Sequence, residues 1–511
     1  MKTPKYPSLY EVNTRVWMTQ LSQALGRKAT LDDIPNQELD RLAELGFDWI
    51  WFLGVWQTGE QGRLISRGNE QFRREFEETL WDLKESDIGG SCFSIAGYSV
   101  HPDLGGNEAL ARLRERMHAR HLKLMLDFVP NHMGPDHPWV KTNPGYFVSG
   151  SQTDLERQPQ NFARVGNGKS ERVLAHGRDP YFDGWPDTYQ LDYSNPALAE
   201  AMKQELLRIS GQCDGLRCDM AMLILPEIFE RTWGRKAQPF WPGSIQAVRE
   251  KSPDFVFMAE VYWDLEWVMQ QQGFDYAYDK RLYDRLHEGA ARPVRDHLRA
   301  GLDFQDRLAR FLENHDEPRA ASTFDDKPHE AAAIITYLTP GLRFFHQGQF
   351  EGRKKRISPH LVRMPHEPLR TNLLQFYTRL LEVLKKSVFR NGQWSLLECQ
   401  PAWEGNETHD ALLAFAWDGL DGSRALIVVN FAPHQSQGYV RMHYPDLADQ
   451  MVPFRDLLST ARYDRDGGEL LDKGMYFNMP GWAFHVFEVG DQPKRIPGQP
   501  ETIKVSQAAG K

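Results

Sequence analysis

Four short segments carry residue types able to do acid–base and nucleophilic chemistry. They are Asp127-Phe-Val-Pro-Asn-His132, Gly215-Leu-Arg-Cys-Asp219, Met258-Ala-Glu-Val261 and Asn314-His-Asp316. Each falls at the end of an apolar, β-rich run. Breaking a glycosidic bond with retention needs a carboxylate nucleophile and a carboxylic acid that protonates the departing oxygen, about 5–5.5 Å apart. Asp219 and Glu260 are the right types for that pair. Arg217, two residues before Asp219 on the same strand face, would keep a nucleophile ionised. Phe257, Met258 and Val261 flank Glu260 with apolar surface, which raises a carboxyl pKa by desolvation. Taken singly, each segment has a plainer reading: Asn-His-Asp as a turn cluster, Arg-x-Asp as a structural ion pair. Their order and common position at strand ends carry the functional reading.

The elements that must position these residues are short strands alternating with helical patterns. The candidates are Tyr10–Trp17, Trp49–Val55, Leu122–Val129, Gly215–Cys218, Phe255–Val261, Phe274–Tyr278, Arg310–Glu313 and Leu342–His346. Eight such runs predict a (β/α)8 barrel, in which side chains just past the strands converge over one mouth. No glycine-rich phosphate-binding fingerprint follows any strand. A charged, helical-looking insertion follows the second strand from Gln57 to Ser91. A long segment rich in Gly, Pro and Asn follows the third. The expected organisation is a barrel from 1–132 and 191–390, a loop subdomain from 133–190, an antiparallel β-sandwich from 391–490 and a disordered tail from 491–511.

The bulk composition excludes other classes. A formal net charge of −9 argues against a nucleic-acid partner, and the short basic run Arg353–Arg356 reads as a solvated loop. Cys92, Cys213, Cys218 and Cys399 show neither metal-ligand spacing nor a disulfide framework. No apolar run approaches the roughly 18 residues of a membrane span, and the first residues show no secretory pattern. A soluble, cytoplasmic protein is the expectation, with no membrane partner.

The segments together resemble the α-amylase family of glycoside hydrolases (family 13). Its four signature regions match in order as DFVPNH, GLRCD, AEVYW and ENHD. Thr188–Pro196 (TYQLDYSNP), Gly273–Leu286 and Ala425–Pro433 match auxiliary segments, so the resemblance runs from about Leu9 to Val489. It implies Asp219 as nucleophile, Glu260 as general acid/base and Asp316 as a ligand of the sugar hydroxyls. It further implies that Phe93, His132, Arg217 and His315 contact the same sugar ring and that Asp127 braces the site. No cofactor is implied for the chemistry. Asn131 stands where many members bind a structural calcium ion, with Asp192 as a further candidate ligand.

The sequence also departs from the family pattern. Met222 and Leu223 stand where starch-cleaving members carry a basic residue and a His facing leaving-group sugars. Phe93 replaces a common Tyr platform, Gly97 replaces a common Asp, and the last barrel strand reads GLRFFHQGQFEG. The expectation is therefore an exo-acting retaining enzyme on α-glucosides or short α-glucans, by hydrolysis or transglycosylation. Transfer, isomerisation or phosphorolysis through the same covalent intermediate is the alternative, and a non-catalytic carbohydrate-binding or scaffold protein is the rival class.

Overall fold

The computed structural model describes residues 3–168 and 171–490; the tail expected to be disordered, 491–511, lies outside the described residues. Eight parallel strands close into one barrel. They are β1 (Ser8–Asn13), β2 (Trp49–Leu53), β3 (Lys123–Phe128), β4 (Gly215–Cys218), β5 (Val256–Ala259), β6 (Tyr276–Tyr278), β7 (Leu308–Arg310) and β8 (Leu342–His346). They follow chain order around the barrel, and β8 closes onto β1 from Ser8↔Arg343 to Glu11↔His346. Parallel strands covered on both faces read as continuous apolar runs. Trp49–Leu53, buried at every position, is one.

Six of the eight strands have other bounds than expected, and two of them, β1 and β7, differ for identifiable local reasons. Tyr10–Trp17 stops at Asn13, whose side chain accepts a hydrogen bond from the Val16 N–H at 3.2 Å and caps the helix Thr14–Leu25. Arg310–Glu313 becomes Leu308–Arg310. Glu313 leaves the ladder to accept from Arg319 Nη1 at 2.5 Å and from the Ala320 N–H at 2.9 Å.

The insertion after β2 forms the helices Glu60–Gly68 and Glu70–Thr79. The segment after β3 builds a three-stranded antiparallel sheet from Ser149–Gly150, Arg172–Ala175 and Phe162–Val165. It returns to the barrel through Tyr189–Gln190, paired with His132–Met133, which pins His132 at the root of the loop. Beyond the barrel come a six-stranded and a three-stranded sheet, both antiparallel. Period-two alternation divides their faces. Leu412, Leu426 and Phe487 pack against Val440 and Phe477 of the smaller sheet, giving a sandwich. Leu413, Phe415 and Ile427 on the other face join the barrel core.

Candidate active site

Backbone pairing continues one residue past β4 and β5. The Asp219 N–H donates to the Phe128 carbonyl at 2.8 Å, and the Glu260 N–H donates to the Cys218 carbonyl at 3.0 Å. Both carboxylates therefore project from the C-terminal end of the barrel. Between them lies Arg217, in register with Asp127 on β3 and Met258 on β5. Its side chain is fully buried. Nη1 lies 2.6 Å from Asp219 Oδ1, and Nη2 lies 2.7 Å from Glu260 Oε2 and 3.9 Å from Asp316 Oδ2. A buried guanidinium is tolerated only with such counter-charges. Trp51, Phe93 and Tyr278 complete its surroundings, their ring centres 5.3, 5.2 and 5.8 Å from the guanidinium carbon.

The same groups set the protonation states. Burial pushes the Glu260 carboxyl up to about 7, against the pull of Arg217. Glu260 Oε2 also accepts from the Met220 N–H at 2.6 Å, and Oε1 accepts from the Tyr262 hydroxyl at 2.9 Å. Met220 reaches that position with φ of 41°, a left-handed conformation that costs a non-glycine residue roughly 1–2 kcal/mol. Burial would raise the Asp316 carboxyl, but His315 and Arg217 overcome it and hold Asp316 well below the usual carboxylate range. Burial disfavours the His315 imidazolium, yet Asp316 and Glu11 lift its pKa to about 10.

Five of the residues singled out from the sequence, Asp219, Glu260, Asp316, His315 and Phe93, thus gather around the guanidinium of a sixth, Arg217. The Phe93 ring is 5.5 Å from that of His315. His132 is buried beside Trp185, 5.2 Å between ring centres, and burial holds its pKa low. Asp127 lies deeper. It accepts from Trp51 Nε1 at 3.0 Å and from the Gly54 N–H at 2.7 Å, tying β3 to β2. Burial raises its carboxyl to about 6. Sequence reasoning missed Glu11, Tyr262 and Tyr278. A lone acid inside the apolar run of β1 was a signal for Glu11, and adjacency to Glu260 was one for Tyr262.

Asn131 and Asp192 do not fit a calcium ion. Asp192 Oδ2 is ion-paired with Arg235, and its Oδ1 accepts from the Ser194 N–H at 3.0 Å and hydroxyl at 2.5 Å. Asn131 Oδ1 accepts from Gln190 Nε2 at 2.9 Å. Calcium takes about six to eight free oxygen ligands, and these oxygens already face donors. Among the described residues no group of three or more His, Cys, Asp or Glu is placed to hold a metal.

Met222 and Leu223 are buried in the turn Ala221–Ile224 and offer no surface to a ligand. The rim past β5 is aromatic instead. Tyr181 and Trp263 meet edge to face at 5.0 Å, Arg231 lies over both rings, and Phe182 beside them is 73% exposed.

The sequence and fold have recognisable relatives. An α-1,4-glucan:maltose-1-phosphate maltosyltransferase of Burkholderia pseudomallei is 26% identical over 311 residues, covering 58% of this chain and 24% of that protein. Alpha-amylase 3 of Dictyoglomus thermophilum is 25% identical over 285 residues, covering 52% of this chain and 55% of that protein. The chain thus spans from about a quarter to about half the length of these curated relatives. In fold it resembles a maltogenic α-amylase of Thermotoga neapolitana, with a TM-score of 0.67 at 18% identity, over 95% of this chain and 98% of the other. Residues 30–359 match the family described as alpha amylase, catalytic domain. With that match covering more than half its length and the barrel carrying the carboxylate cluster, the chain belongs to the α-amylase family of glycoside hydrolases.

Proposed function

We propose that the protein is a retaining α-glycosidase or transglycosylase that acts at the ends of short α-glucans or on small α-glucosides. The carrying observation is a single buried guanidinium group, that of Arg217, shared by Asp219 and Glu260. Contact with both keeps the carboxylates close, as a retaining pair requires. In this reading Asp219 Oδ2, the oxygen not held by Arg217, attacks the anomeric carbon. The glycosidic C–O bond breaks as Glu260 gives its proton to the leaving oxygen. Glu260 then takes a proton from water or a sugar hydroxyl, whose oxygen attacks the anomeric carbon and frees Asp219. The proton sits on Oε1, because Oε2 accepts from the Met220 N–H and lies 2.7 Å from the Arg217 guanidinium. Asp316, with His315 behind it, binds the sugar hydroxyls, while Phe93 and His132 flank the ring. Asp127 holds the floor.

Chain-end action is supported by the loop segment 133–190, which rises from the barrel mouth, and by the absence of the family's basic pair at Met222 and Leu223. Transfer to a sugar acceptor is the second reading. The relative named as a maltosyltransferase and the aromatic rim of Tyr181, Phe182 and Trp263 both favour it, since such rings pack on sugar faces. The division into a barrel (1–132 and 191–390), a loop subdomain (133–190) and a β domain (391–490) belongs to the same proposal, supported by where the separate sheets lie. Four free cysteines support a cytoplasmic location, and no described helix is long and apolar enough to cross a membrane.

The deciding experiment offers α-glucosyl and α-maltosyl donors to water, phosphate and sugar acceptors, with product analysis on maltooligosaccharides. Release of small products from chain ends is expected. Random internal cleavage of long glucans would sink the chain-end reading. Failure of an activated fluoro-sugar to label Asp219 would sink the covalent mechanism.

A further inference from the structure

Glu11 stands in the middle of β1, in register with Trp51 of β2 and His346 of β8, and has no solvent exposure. A carboxylate inside an apolar barrel is costly unless a cation meets it. Its Oε1 lies 2.6 Å from His315 Nδ1, and its Oε2 lies 3.9 Å from His346 Nε2. The other nitrogen of His315, Nε2, lies 2.9 Å from Asp316 Oδ2. His315 is therefore a bridge between two carboxylates, one buried at the floor and one at the mouth.

The two histidines near Glu11 differ in their partners. His346 Nδ1 accepts from Arg319 Nη1 at 2.8 Å, closer than Glu313 Oε1 at 3.4 Å, and burial with Arg319 outweighs Glu313 and Glu11 in holding its pKa low, so that ring is neutral with its proton on Nε2. His315 faces carboxylate oxygen on both nitrogens. A neutral imidazole has one N–H and one lone pair, and the lone pair would point at an anionic oxygen. The imidazolium instead meets both carboxylates as a charge, at 2.6 and 2.9 Å. The rings around it, Trp51 at 5.4 Å and Phe93 at 5.5 Å, supply no competing charge. The remaining ionisable groups near it are Arg217 on β4, 3.9 Å from Asp316 Oδ2, Asp127 on β3, and His346 across Glu11.

We propose that Glu11 is a positioning residue that keeps His315 permanently charged, so that Asp316 is held ionised and aimed at the sugar hydroxyls. Glu11 itself touches no substrate. It acts through His315, and the resulting series of Glu11, His315, Asp316 and Arg217 alternates in charge. The pKa of about 10 for His315, reached in spite of burial, agrees with that geometry. Loss of the Glu11 charge leaves one carboxylate to stabilise the imidazolium, and its pKa falls toward the ordinary histidine range.

This inference rests on the proposed retaining reaction, so its test isolates His315 from Glu260. The Glu260→Gln enzyme is assayed with α-glucosyl or α-maltosyl fluoride and azide, a donor and a nucleophile that need neither acid nor base help. Glu260→Gln alone is expected to give a rate level from pH 6 to about 9. Adding Glu11→Gln is expected to introduce a new ionisation below pH 8, with at least about a tenfold loss between pH 6 and 9. Adding Glu11→Asp, which keeps the charge, restores the level profile even at a lower absolute rate. Superimposed profiles for Glu260→Gln with and without Glu11→Gln overturn the proposal. So does a fall below pH 8 in Glu260→Gln alone, a measurement that stands even where the Glu11 variants do not fold. Fluoro-sugar labelling of Asp219 in the unaltered enzyme reports separately on the covalent reaction, so failure there is distinguishable from failure here.

Discussion

The hydroxyl of Tyr262 donates to Glu260 Oε1 across 2.9 Å, the one carboxyl oxygen that neither Met220 nor Arg217 occupies. A donor to the charged form stabilises the carboxylate, so Tyr262 opposes the rise that burial imposes on Glu260. The free enzyme needs Glu260 protonated, so kcat/KM should fall as pH rises through about 7. Tyr262→Phe should move that limb upward by about one pH unit. An unmoved limb in a folded, active Tyr262→Phe enzyme would show that the hydroxyl does not tune the acid.

The two carboxylates on Arg217 should separate by leaving group. Asp219→Asn removes the attacking group and should lower kcat at least about a thousandfold for every donor. Glu260→Gln should spare the first step for donors with good leaving groups, which need little protonation, and slow it severely for ordinary glucosides. Equal slowing of good and poor leaving groups would reassign the acid.

The barrel, the order of its strands and the three carboxylates were legible because they rest on local patterns. Apolar runs mark β2, β3 and β8, and Asp219 and Glu260 follow their strands by one residue. What stayed hidden depends on long-range contacts. Glu11 is 304 residues from its partner His315, and nothing in the run Tyr-Glu-Val says that a histidine will stand opposite. Tyr262 was visible as a neighbour of Glu260, but a two-residue separation does not reveal that its hydroxyl turns back. Asn131 and Asp192 carry oxygen, the right element for calcium; Arg235, which claims Asp192, comes from 43 residues further on. The ends of β1 and β7 moved because Asn13 and Glu313 bond to the segments that follow, a side-chain choice that strand propensity does not register.

Arg235 links Asp192 to the loop sheet, since its Nη2 also donates to the Ser149 carbonyl at 3.0 Å. Chelators should leave the melting temperature unchanged, because a guanidinium rather than a divalent cation meets Asp192. Arg235→Ala should destabilise by roughly 1–2 kcal/mol, a partly exposed pair being worth less than a buried one. Thermal melts of parent and variant, with and without chelator, read both outcomes, and a chelator-sensitive parent would contradict the assignment of Arg235.

Asp187 offers a test of pH-dependent stability away from the reacting groups. It is buried at the return of the loop segment, and its Oδ2 has no hydrogen-bond partner within the described structure. Burial raises its carboxyl to about 7 from the ordinary aspartate value of 3.8. The folded protein therefore binds a proton there that the unfolded chain has released across this interval. Stability from this group is fully present below the unfolded value, declines as pH rises and is lost once pH passes about 7. Asp187→Asn keeps the shape and removes the titration. Its melting temperature relative to the parent should rise between pH 4 and 7 and level off above that. A difference independent of pH would mean that Asp187 ionises in the folded state as readily as in the unfolded one, with an unrecorded donor reaching Oδ2.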